Sequence, residues 1–164
     1  MSFHEGDQLT HVDPRGQVHM VDVTGKDVTV RKAIAESWVT MSDRAFAALA
    51  DGQTPKGDVM ATVRLGALMG SKATSTLIPL CHPLPVESAR CEVTLHAPNR
   101  VRIVMEVSTS GKTGVEMEAL TGASTGSLVL YDMMKALDKG MEIGPTRLLR
   151  KEGGKSGVYE RDGN

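Results

Sequence analysis

The strongest constraint on the fold of this 164-residue chain is a pair of alternating runs, Val86 to His96 and Val101 to Val107, either side of Ala97-Pro98-Asn99. In the first run Ala89, Cys91, Val93 and Leu95 share one face, while Ser88, Arg90, Glu92 and Thr94 share the other. Val101, Ile103, Met105 and Val107 repeat the pattern after the turn. A period of two sends successive side chains to opposite faces, so the pair predicts a β-hairpin that is apolar on one side only. Such a hairpin needs other elements to cover that side.

The flanking segments supply them. Val28 to Thr40 mixes β-branched residues and a tryptophan with charges in loose alternation, which predicts a further strand. Ser42 is placed to cap a short helix ending at Gly52, and Asp58 to cap a nearly all-round apolar helix reaching Leu77. Thr113 through Gly140 is the longest helical pattern, with a capping-box spacing between Thr113 and Glu116. Gly122 and Gly126 inside it predict a close backbone neighbour. MEIGPTRLLR, residues 141–150, reads as a last strand with Pro145 near an edge. The order β, α, α, β, β, α, β predicts an α+β fold, a ferredoxin-like antiparallel sheet covered by helices on one face, with an additional helix. Residues 1–19 read as a mobile N-terminal arm, 20–158 as a single catalytic domain and 159–164 as a C-terminal tail.

Composition narrows the function. Lys and Arg number 19 against 20 Asp and Glu, so no uniform basic field draws nucleic acid or an anionic membrane. Aromatic residues make up only 3%, which removes stacking platforms for single strands, and ten methionines must help fill the core. No run approaches the roughly 20 apolar residues of a membrane span. Cys81 and Cys91 fit no zinc pattern, and with no signal-peptide pattern the expectation is a cytoplasmic protein with free thiols.

Two segments imitate a phosphate loop, SGKTG at 110–114 and GGKSG at 153–157. Glu106 and Leu149 occupy the positions where a true P-loop has its first glycine, so a P-loop phosphotransferase is set aside. Lys56 lies just before a helix amino end and is either an anion ligand or a solvated loop lysine; Lys151 and Lys155 carry the same choice. His82, between Pro79 and Pro83, is displayed on a stiff arch that suits catalysis as well as an ordinary loop. Glu116 and Glu118 either complement a helix dipole or do chemistry. Asp132 and Lys135, at i and i+3, are either a surface pair or an acid/base pair.

Together HMVDV, KGDV, LIPLCHPL, GKTGVEMEALT, LYDM followed by Lys135, and GGKSG occur in the order seen in the molybdenum cofactor biosynthesis protein C family, the cyclic pyranopterin monophosphate synthases, which the chain resembles from about Leu9 to Gly157. The resemblance implies a lyase that converts (8S)-3',8-cyclo-7,8-dihydroguanosine 5'-triphosphate to cyclic pyranopterin monophosphate and pyrophosphate. It also implies a homohexamer, a trimer of dimers, with sites between subunits. By resemblance Asp132, Lys135 and Lys56 are catalytic, and Leu80, Cys81, His82, Met117 and Glu118 contact substrate; Glu116, Lys151 and Lys155 are expected to join them in binding it. No protein metal site or redox cofactor is implied; Mg²⁺ on the substrate phosphates is compatible. The pattern departs from the family at Gly122, Gly126 and Met134, which concern helix packing. The alternative is a catalytically silent nucleotide-sensing ferredoxin-like domain.

Overall fold

A computed structural model describes residues 15–162. Its elements are β1 (Thr29–Thr40), α1 (Asp43–Ala50), α2 (Val59–Lys72), α3 (Thr74–Leu77), β2 (Ser88–His96), β3 (Arg100–Gly111), α4 (Glu116–Met134), β4 (Glu142–Glu152) and β5 (Tyr159–Glu160). The expected hairpin is β2 and β3, antiparallel with Val93 opposite Ile103 and Cys91 opposite Met105. All pairings are antiparallel and the strand order is β2-β3-β1-β4-β5, the ferredoxin-like plan with a two-residue strand added. Of the arm expected over residues 1–19, residues 1–14 lie outside the described residues.

Side chains that share a face explain why the layers meet. Ala33, Ala35 and Val39 of β1 and Val101, Ile103, Met105 and Val107 of β3 are all 0% exposed, beneath Ala119, Ala123 and Leu130 of α4. Small residues let α4 and α2 approach one another and the sheet. A Cβ on Gly122 would stand 2.9 Å from Met105 Cγ and 3.0 Å from the Ala67 carbonyl oxygen, the close backbone approach that the sequence predicted. A chain of hydroxyls links α4 to the sheet: Ser127 Oγ donates to Ser37 Oγ at 2.8 Å, which lies 2.7 Å from Thr146 Oγ1. On the opposite face Glu36 is buried between Arg102 and Arg147, each at 2.6 Å, while Arg100 sits 4.1 Å over the Trp38 ring.

Both long helices are shorter than expected, for local reasons. The helix capped by Asp58, whose side chain accepts from Ala61 N at 2.9 Å, breaks at Ala73 before α3. There Thr74 Oγ1 donates to the Ser71 carbonyl at 2.9 Å, a side-chain bond that competes with the helical ladder. The capping box between Thr113 and Glu116 does not form: α4 starts after Val115 without a side-chain cap. At its other end the Asp138 carboxylate accepts from Ser42 N at 2.7 Å and Gly140 N at 2.8 Å, which draws the chain out of the helix several residues early. Pro145 lies where β4 slips register against β1, between the pairs Ser37–Thr146 and Val39–Ile143.

Candidate functional site

The expected residues gather at two ends of α4. At its carboxyl end, Lys56 Nζ donates to Asp132 Oδ2 at 2.8 Å and to the Asp132 carbonyl at 2.9 Å. Lys135 Nζ meets Asp132 Oδ1 at 2.7 Å. The loop before α2 delivers Lys56: Gly57 has a φ of 81° and the next residue, Asp58, caps the helix. The Lys56 ammonium thus satisfies an end carbonyl of α4 and favours its dipole, so the basic residue expected to face a helix amino end faces a carboxyl end instead. The Asp132 side chain is 56% exposed, unlike a carboxylate held in the apolar surroundings of the VLYDMM sequence. Hydrogen bonds from Lys135 and then Lys56 hold its carboxyl at about 2, and the same carboxylate raises the Lys135 ammonium.

At the amino end of α4 a cavity of about 380 Å³ is lined by Leu80, Cys81 and His82 from the proline-bounded arch and by Glu116, Met117 and Glu118 from the helix. Val21, Val23 and Lys26 close its side. Glu118 is only 4% exposed, and burial pushes its carboxyl up, with Glu116 adding to the effect. Burial likewise raises the Cys81 thiol, helped by the charge of Glu118, so Cys81 is a poor nucleophile and a wall residue. The six wall residues named from sequence therefore form one surface.

A second chamber, about 660 Å³, adjoins the first and shares Lys26, Thr113, Gly114 and Glu116 with it. It contains the two other expected residues, Lys151 and Lys155, together with three cations that sequence reasoning did not single out as ligands: Lys26, Arg31 and Lys112. Arg31 is 9% exposed and its Nε donates to the Gly111 carbonyl at 3.2 Å. Gly153 and Gly154 make room for it, since a Cβ on Gly153 would collide with the Val30 carbonyl and one on Gly154 with the Arg31 guanidinium. Lys151 Nζ contacts Ser156 Oγ across the loop. Both phosphate-loop imitations thus line one basic chamber, although neither is a P-loop. The clue to Lys112 was its place in SGKTG; Arg31, inside an alternating strand, gave none.

Along the helix axis Glu116 and Asp132 are separated by about 24 Å, so within one chain the triad of Lys56, Asp132 and Lys135 stands apart from the paired chambers. Among the described residues no helix is long and apolar enough to cross a membrane, and no three His, Cys, Asp or Glu side chains are grouped as a metal site would require. The model of the MoaC family matches residues 20–154. The chain belongs to the MoaC family, of molybdenum cofactor biosynthesis.

Proposed function

We propose that the protein is a lyase that rearranges (8S)-3',8-cyclo-7,8-dihydroguanosine 5'-triphosphate to cyclic pyranopterin monophosphate with release of pyrophosphate. The observation that carries the reading is the union of a ring-sized cavity, walled by the buried carboxylate of Glu118, with a basic chamber on the same stretch of α4. A carboxylate accepts hydrogen bonds from the two neighbouring N–H groups on the aminopyrimidinone edge of a guanine-derived ring. Lys26, Arg31, Lys112, Lys151 and Lys155 match the several negative charges of a triphosphate, and they also stabilise a departing pyrophosphate.

The remaining chemistry is proton transfer. Opening the imidazoline ring and rebuilding the pterin require protons to be moved between nitrogen, carbon and oxygen. Cyclic phosphate closure requires a hydroxyl oxygen to attack the α-phosphorus as its bond to the bridging oxygen of the leaving pyrophosphate breaks. Lys135 and Lys56 are the proton donors and Asp132 keeps both aligned; its carboxylate raises the Lys135 ammonium and so favours reprotonation of that lysine once it has donated. Any Mg²⁺ enters on the substrate phosphates and needs no protein ligand set. The triad works on substrate held by the chambers of another subunit, in a homohexamer built as a trimer of dimers; the roughly 24 Å between the two clusters on one chain supports this arrangement.

Incubation with the cyclic dihydro-GTP intermediate tests the reading, with product followed as the pterin and as pyrophosphate in equal amounts. Tight binding without turnover would instead support the nucleotide-sensing alternative.

A further inference from the structure

Residues 21–27 run as a strap along both chambers: Val21, Val23 and Lys26 face the ring-sized cavity, and Gly25, Lys26 and Asp27 face the basic one. The strap has its own local shape, with Thr24 N bonded to Asp22 Oδ1 at 2.8 Å and Lys26 N to the Val23 carbonyl at 3.1 Å. It buries little, because Asp22 and residues 24–27 are exposed and Val21 and Val23 only half-buried. Among the described residues, the hydrogen bond that ties it to the body of the domain is donated by Lys112 Nζ to the Thr24 carbonyl at 2.7 Å.

We infer that Lys112 is a positioning residue, a latch that holds the strap across the ring-sized cavity and is reinforced when a polyphosphate fills the basic chamber. An ammonium has three donors, and the Thr24 carbonyl takes one, leaving two for an anion. Lys26 lines the same chamber from the strap side, and Lys112 from the wall. A phosphate group bridging them is bound to both sides of the mouth, which adds charge-assisted bonds between strap and body. Occupation of the phosphate chamber is therefore linked to closure over the ring, and loss of pyrophosphate to reopening. This coupling rests on the phosphate reading of the larger chamber, but it does not require the chemical step.

The test is hydrogen exchange of the full-length protein at labelling times of milliseconds to seconds, read at residues 21–28, with pyrophosphate as the probe. Without ligand, Lys112→Ala is expected to speed exchange there by about fivefold, the worth of one such hydrogen bond, with the thermal midpoint unchanged. Lys112→Arg, which keeps a cationic donor, is expected to restore much of the protection. Pyrophosphate is expected to slow exchange of the strap in the wild type and to lose that effect in Lys26→Ala. Equal exchange in wild type and Lys112→Ala overturns the latch. Pyrophosphate binding, seen by titration calorimetry, that leaves the strap unchanged overturns the coupling alone; absence of binding overturns the coupling together with the phosphate reading.

Discussion

Two ammonium groups face Asp132, and their effect is to remove proton exchange at its carboxyl from the physiological range. With the carboxyl held at about 2 and the Lys135 ammonium raised, the Asp132–Lys135 pair keeps its charges from mildly acidic to strongly basic solution. Asp132→Asn leaves the shape but lets both lysines drift, so single-turnover rate is expected to fall by roughly 10² or more while substrate still binds. The thermal midpoint is expected to stay nearly constant, because the carboxylate is exposed. Near-normal turnover in the variant would refute the catalytic role. The pairing of Asp132 with Lys135 was readable as an i, i+3 spacing on a helix. Lys56 was grouped with them only through the family resemblance, because spacing cannot show a contact across 76 residues that depends on the docking of a loop against a helix end.

Glu118 behaves in the opposite sense. Its folded-state carboxyl is raised by burial above the unfolded value, so the native state holds the proton more tightly than the unfolded chain does. The ionised group therefore costs stability above the raised value, and the cost disappears as pH falls through it. Glu118→Gln is expected to melt higher than wild type near about pH 8, by a margin that shrinks toward about pH 4, while activity drops. Calorimetric melts at the two pH values decide it, and a lower midpoint at the alkaline value would contradict the argument.

At the scale of elements, the contact of α2 with α4 depends on missing side chains. A Cβ on Gly70 would lie 2.5 Å from Thr125 Cβ, an atom fixed to a helix backbone, and cannot be relieved by a rotamer change. Gly126 is looser, with Ile103 Cγ2 at 3.1 Å and Ala67 Cβ at 3.2 Å. Chemical denaturation is expected to show Gly70→Ala destabilised by about 1–3 kcal/mol. Gly126→Ala is expected to be nearly neutral, because about 1 kcal/mol of helix propensity offsets mild crowding. Equal losses would mean that the helices separate to accommodate either methyl. Alternation located β1 and both hairpin strands, and capping and helical spacing located α1 and the core of α4. Helix ends were misread where side chains far from the pattern intervened: Thr74 broke α2, and Asp138, bonded to Ser42 N, shortened α4. Such competition is set by tertiary contacts, which a linear pattern does not contain.

At the scale of the whole molecule, a near-neutral chain concentrates Lys26, Arg31, Lys112, Lys151 and Lys155 at one end of α4 and Lys56 with Lys135 at the other. One chain bent on itself cannot bring these ends together, because a helix of 19 residues is rigid and the sheet backs it. If each working site takes its chambers from one subunit and its triad from another, two differently disabled proteins should repair one another. Asp132→Asn keeps intact chambers and Lys151→Ala keeps an intact triad. Each alone is expected to be nearly inactive, but after the two are unfolded together and reassembled in equal amounts, about a quarter of the sites unite intact halves if mixing is random. Activity of the mixture should then approach a quarter of wild type, with sedimentation showing the same hexameric mass for all preparations. A mixture no more active than its components would place the whole reaction within one subunit and require the triad to act on something other than the substrate bound in the chambers.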